Sequence, residues 1–465
     1  MSGLFGSLSI ALSGLAVSQQ ELETSSNNVA NASTPGYSRE TAVTDPGAPV
    51  VYGPLTIGTG VVLEKIESLR DPILEIQLNQ ETQQQSSLNA QLEQLQQMQT
   101  QFSSATTGIG ADMSNFFNSL QQLSPDPTNL ALRQSVLTAA GNLATDFNNA
   151  ASSLQTQSSN LNLNVVQDVG QVNTLTAQIA SVDQQIASLE NANEDAGSLV
   201  DQQTNLIRQL SGLVDVQVVQ TGKGGIELTT SNGTALVSGG QSFALTTQVG
   251  GNGAQQVMAG AQNITSSLTG GSLAGTIEIR DQEIPGILNQ LDQLAAGFSS
   301  AVNAANAHGY ILNDNGPPTL GGNIFTTPPA GGVGAAAAMQ VAITNPSLIA
   351  ASSDGTPGSN GNLANLSAVA NEAVANGETP IDFYSNLVFQ VGSTTSNASA
   401  DVDASGQILQ QLQDQRGSIS GVSLDEEAAN IVQYQTAYQA SARVVTIIDA
   451  MLADAVNLGV EAAVQ

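Results

Sequence analysis

The chain has 465 residues, with 39 acids against 9 Lys and Arg, one His and a formal net charge of −30. That balance argues against nucleic-acid binding, which needs clustered basic side chains on the phosphates, and against attraction to an anionic membrane. Cysteine is absent, so disulfides and thiolate metal sites are excluded, and every apolar stretch is broken short of the ~18 residues of a membrane span.

Taken in order, residues from Gly3 to about Ser33 form a helical pattern. Leu8, Leu15, Leu22 and Val29 fall seven apart, a narrow stripe that calls for another helix. The companion stripe, Leu4, Ala11, Ser18 and Ser25, is incomplete. The first basic residue is Arg39. With no positive n-region the segment reads as retained, and any export takes a route without a cleaved signal peptide. Thr34-Pro35-Gly36-Tyr37 stops the helix. Residues 41–62, rich in Pro, Gly and β-branched runs, read as extended linker or short hairpin.

Helix resumes near Leu69, with a seam of Leu88, Leu92, Leu95 and Phe102 between glutamines. SPDPT, from Ser124 to Thr128, breaks it, and Leu130, Leu132, Val136 and Leu143 continue it. Val172, Leu175, Ile179, Val182, Ile186 and Leu189 then step by threes and fours, a bundle seam. Asn191 to Gly197 interrupts the seam and Val200, Ile207, Leu210 and Val214 resume it, as in two antiparallel helices joined by a turn.

At Val214 the period drops to two, with turn signals at Gly224-Gly225 and Asn232-Gly233, and strands are expected to about Arg280. Helix returns from Gln282 to about Ala307. A Gly-, Pro- and Asn-rich stretch follows His308, with a strand-like run from Met339 to Ile343, and helices are expected over 363–375 and 381–418. Near the end Leu424, Ile431, Tyr438, Val445 and Leu452 repeat every seven, with Ala428, Gln435, Ala442 and Asp449 as a weak companion stripe.

The fold class expected is mainly α with a β insert: terminal coiled-coil helices, a long helical bundle and a small β region, on a chain that runs out and back. The domains expected are a terminal assembly domain (1–60 plus 424–465), a helical bundle (61–213 plus 281–423), a β-hairpin insert (214–280) and an irregular segment at 308–362 that stands as a reduced outer domain.

SSNNVANASTPGYSRE, from Ser25 to Glu40, resembles the N-terminal signature of the bacterial flagellar rod, hook and hook-associated proteins. The run from Gly421 to Asn457 resembles their C-terminal signature. Ser38-Arg39 after Pro-Gly-Tyr, together with Asp201 to Val219 and Ser272 to Tyr310, resembles the hook-associated protein 1 branch. The resemblance implies a structural flagellar subunit at the hook–filament junction, self-associated in a ring. It implies contact with the hook subunit and with a second junction protein (hook-associated protein 3), and a cytoplasmic export chaperone. It also implies an extracellular place in the flagellum. The residues expected at the assembly interface are Leu8, Leu15, Leu22, Asn27, Asn28, Val29, Asn31, Pro35, Gly36, Tyr37, Arg39, Leu424, Ile431, Tyr438, Val445 and Leu452.

Other constellations read as bland. Asp401, Asp403, Ser405 and Gly406 imitate a calcium loop, but the twelfth position is Leu412 rather than Glu. Gly222, Gly224 and Gly225 suit a hairpin turn better than a phosphate loop, since no Lys-Ser/Thr follows. His308 lacks an orienting carboxylate and a nucleophile, and Asp425, Glu426 and Glu427 suit a helix start. No catalytic, cofactor or metal residue is expected. The rivals are a hook or distal rod subunit, which the helical middle argues against, and an exported peptidoglycan hydrolase with axial termini, for which no catalytic cleft is legible.

Overall fold

A computed structural model describes residues 2–462 except 53–54, 103–106, 193, 222–224, 252 and 314–315. The turn expected around Gly222 and Gly224 lies outside these, as does Asp314.

The chain opens with α1 (Ser2–Asn31) and a ribbon of β1 (Glu40–Pro46), β2 (Val50–Tyr52), β3 (Leu55–Ile57) and β4 (Val61–Ser68). Three helices follow, α2 (Pro72–Phe102), α3 (Ile109–Leu123) and α4 (Leu130–Asn191), and then α5 (Gly197–Leu213). Next come β5 (Gln217–Gln220), β6 (Ile226–Thr229), β7 (Ala235–Ser238), β8 (Gln241–Ser242), β9 (Leu245–Val249), β10 (Gln255–Ala259) and β11 (Gln262–Asn263). The remainder is α6 (Gly271–Glu278), α7 (Ile284–Ala307), α8 (Ala335–Ala338), α9 (Gly361–Ala368), α10 (Pro380–Ser420) and α11 (Leu424–Ala462).

Two compact units share these elements. One contains residues 1–83, 171–245 and 406–465; the other contains 84–170 and 246–405.

In the first unit β1 pairs antiparallel with β4 and β2 with β3, so the Pro- and Gly-rich stretch is a folded-back ribbon. The strands β5 to β8 form an antiparallel sheet in chain order. The end of α4 and α5 make the expected helical hairpin. Val182, Ile186 and Ala196 are buried with Leu189, Leu199, Val200 and Leu206 packed against them.

The second unit holds the larger apolar core. Phe116, Phe117, Phe298 and Phe325 meet edge to face or tilted, with ring centroids 5.4–6.0 Å apart. Such pairs add to the burial energy of the rings. Asparagine side chains tie the irregular stretch after α7 to this core. Asn303 donates to the Phe325 carbonyl and accepts from its N–H, both at 2.9 Å. Asn306 donates to the Gly322 carbonyl at 2.7 Å and accepts from the Ala350 N–H at 2.8 Å.

Three local expectations need correcting. Strands do not run to Arg280: α6 begins at Gly271 and continues through a π-helical stretch, Ile279–Glu283, into α7. The run TIEI has strand propensity, but Leu273 to Ile277 are all buried. A helix enclosed by its neighbours overrides that local preference. Among the described residues Met339 to Ile343 forms a bridge, Val341 to Phe325, rather than a strand. The helix expected over 363–375 ends at Ala368, followed by a 3-10 turn, Val369–Asn371. Asp401 and Asp403 lie inside the continuous α10, and His308 is exposed just past α7.

Candidate assembly surface

The two terminal helices pack on each other along their length. On α1 the buried positions are Ala11, Val17, Ser18, Thr24, Ser25 and Asn28. On α11, Glu427 and Ile448 are buried, and Ile431, Tyr434, Ser441, Val445 and Leu452 are half-buried. The α11 positions step by four and three, with one step of seven from Tyr434 to Ser441 past exposed Tyr438, so this is a coiled-coil seam.

Along α1 the residues that spacing singled out lie shallower than their companions. Leu8, Leu15 and Leu22 are only half-buried, and Val29 is exposed. Ala11, Ser18 and Ser25, the incomplete companion stripe, are buried instead. Small residues let the two backbones approach closely, since side-chain size sets interaxial distance. Gly14 shows how close: a Cβ there would stand 3.2 Å from Ser441 Oγ. Leu8, Ala11, Leu15, Ser18, Leu22 and Ser25 step alternately by three and four, so the two stripes make one seam with its small residues deepest. On α11, Ile431, Val445 and Leu452 lie along the seam, Tyr438 is at its exposed edge, and Leu424 is 56% exposed.

A second apolar stripe on α11 has no cover among the described residues. Val444, Ile447 and Met451 are 44%, 59% and 51% exposed, at steps of three and four. On α1, Phe5 and Leu12 are exposed as well. Two shallow grooves flank these helices. One, of about 470 Å³, lies between Gly3, Gly6 and Ile10 on α1 and Val50 and Ile57 on the ribbon. The other, of about 560 Å³, lies among Ile10, Gly14, Val61 and Val444. Contiguous exposed apolar surface of this kind marks an interaction site.

The residues after α1 form a joint. Gly36 adopts φ +85, the left-handed conformation that lets the chain turn. Asn28, 1% exposed, donates to the Glu40 carbonyl at 2.8 Å and accepts from the Glu40 N–H at 2.9 Å. Its oxygen also accepts from the Tyr37 hydroxyl at 2.9 Å. Asn27 donates to the Glu40 carboxylate at 3.3 Å, and Asn31 donates to Asn27. The asparagine cluster thus fixes the turn from α1 into β1 by acting as a surrogate backbone partner. Pro35 is exposed at the turn.

Beyond the turn, residues 36–40 thread among helix ends. The Ser38 N–H donates to Asp201 at 2.9 Å, and its hydroxyl accepts from Arg70 and Arg416. Arg70 also binds Asp201 and the Gly197 carbonyl. Arg416 binds Glu75 and the Gly36 carbonyl, and Glu75 accepts a second bond from Arg208. Arg39 pairs with Glu427 at 2.7 Å and Glu426 at 3.0 Å, and its N–H donates to the Ser420 carbonyl. Four of the nine bases therefore gather at one place in an acidic chain. Sequence reading assigned Glu426 and Glu427 only to the helix dipole and did not single out Arg70, Arg208, Arg416, Glu75 or Asp201. Their partners are too far apart in the chain for any spacing rule to join them.

The electrostatics follow the burial. Burial first, and then the Asp195 charge, hold the Glu40 carboxyl above its ordinary range, with the Asn27 hydrogen bond opposing. Burial, and then Glu40, push the Tyr37 phenol up. Across the helical seam burial raises Glu21, and burial and then Glu21 raise Tyr434.

Comparison with known proteins gives these features a family. Residues 95–325 match a model described as the flagellar hook-associated protein FlgK helical domain. Residues 8–37 match the flagella basal body rod protein model, and 413–458 the flagellar basal body rod FlgEFG protein C-terminal model. Flagellar hook-associated protein 1 of Bacillus subtilis is 29% identical over 98% of this chain and 99% of its own length. That of Escherichia coli is 26% identical over 96% and 98%. The flagellar hook junction protein FlgK from Burkholderia pseudomallei shares the fold at a TM-score of 0.67. It is 19% identical and covers 74% of this chain and all of its own. With both terminal signatures, the helical middle and near-full-length relatives in agreement, the chain belongs to the flagellar hook-associated protein 1 family.

Proposed function

We propose that this chain is a structural subunit of the bacterial flagellum, forming the junction between hook and filament and required for filament assembly. The observation that carries the reading is the terminal helix pair, whose seam closes on small residues while α11 turns Val444, Ile447 and Met451 outward. A monomer gains nothing from that stripe; a ring of copies covers it. The relatives are structural flagellar proteins, and the reading is non-enzymatic.

Self-association in a ring, contact with the hook subunit and with hook-associated protein 3, and escort by an export chaperone complete the proposal. Its place is extracellular, reached without a cleaved signal peptide. The helical middle favours this assignment over a hook or distal rod subunit, because the match over 95–325 is to the hook-associated helical domain. Deleting the gene is the test. Cells should carry hooks without filaments while flagellin accumulates in the medium. Normal filaments on the deletion strain would refute the proposal.

A further inference from the structure

We infer that Arg39 is an intramolecular positioning residue. It fixes where α11 starts against the turn after α1, and so presets the terminal helix pair before any neighbour binds. The inference rests on reading that pair as the assembly element.

The resemblance places Arg39 among interface residues, but its side chain faces inward. It is 15% exposed, and the Glu427 side chain that it binds is 1% exposed. Its three nitrogens are directed at two consecutive carboxylates in the first turn of α11. Its own N–H binds the Ser420 carbonyl at 2.9 Å, the last residue of α10, and its carbonyl accepts from the Leu69 N–H at 2.8 Å. One residue therefore holds the end of α10, the start of α11 and the chain leaving β4.

The second oxygen of Glu427 is buried and accepts no hydrogen bond among the described residues. Glu427 thus depends on Arg39 for the partner that makes a buried carboxylate tolerable. Losing one member of such a pair leaves a stranded charge, whereas replacing both by neutral groups is close to neutral. Arg416, near the end of α10, gives the same joint a second tie, to Glu75, Gly36 and Ser38. In a chain with so few bases, buried pairing at this one joint specifies which helix ends meet.

The experiment is a double-mutant cycle on the full chain, with Arg39→Gln, Glu427→Gln and the pair together. It is read by hydrogen–deuterium exchange over residues 424–456. Arg39→Gln should raise exchange there about tenfold, as expected for an uncompensated buried charge. Exchange over 109–123 should stay as in the parent. The double variant should lie closer to the parent than Arg39→Gln does. Should Arg39→Gln not fold, a folded double variant meets the same expectation and an unfolded one overturns it. Parent-like exchange in Arg39→Gln, with or without loss of filaments, would overturn the inference and place Arg39 at a contact between copies. A double variant as perturbed as Arg39→Gln would also overturn it. Exchange is measured on the isolated chain, so it stands apart from the deletion test of function.

Discussion

The aromatic core of the second unit and the terminal helix pair solve opposite problems. Phe116, Phe298 and Phe325 are fully buried, and apolar surface there is spent on the chain's own stability. On the terminal pair the deepest apolar positions are Ala11, Val17 and Ile448, while Phe5, Val432, Ile447 and Met451 face outward. The contrast teaches that similar apolar content can serve folding or association, depending on which stripe a helix turns inward.

The contrast can be broken from its strong side first. Phe298→Ala removes a ring that touches Phe116, Phe117 and Phe325 and should cost about 3–5 kcal/mol in that unit. Chemical denaturation followed by exchange over 109–123 measures it. A loss below about 1 kcal/mol would mean the cluster is looser than its geometry indicates.

The two stripes of α11 come next. Ile431→Asp with Val445→Asp puts charges into the seam and should loosen the terminal pair itself, at several kcal/mol. Ile447→Asp with Met451→Asp changes exposed positions and should leave the monomer within about 0.5 kcal/mol of the parent, yet prevent filament growth. Circular dichroism of the isolated proteins alongside electron microscopy of complemented cells separates the two. Motile cells with the outward pair changed would remove the stripe from the assembly surface.

The smallest expected effect concerns Glu40. Its carboxyl is raised in the fold above the ordinary 4.5, so its ionised form disfavours the folded state. That cost is fully present above the raised value and vanishes as pH falls below the unfolded one. Glu40→Gln should therefore stabilise the joint by less than about 1 kcal/mol at neutral pH, fading to nothing near pH 4.5. Denaturation midpoints across pH 4–8, a window of about four units around the shift, test the sign. A destabilised variant at neutral pH would show that the charge on Glu40 serves Arg70 more than burial opposes it.

Much of the architecture was legible because periodicity is local. The seam from Val172 to Ile186, the α4–α5 hairpin and the heptads of α11 follow from apolar spacing, which depends only on helix geometry. The turn at Pro35-Gly36 follows from backbone chemistry. The helix at Gly271–Glu278 was not legible, because burial of Leu273 to Ile277 overrode a strand-like preference.

The sequence by itself determined that both ends are helical, that each carries a seven-residue seam, and which family's signatures flank a helical middle. Tertiary structure alone decided which stripe of α1 lies deepest, because close approach of the backbones favours Ala11, Ser18 and Ser25 over leucines. It also decided that Arg39 meets Glu427, since ion pairs between residues hundreds of positions apart form only once the chain has brought their helix ends together.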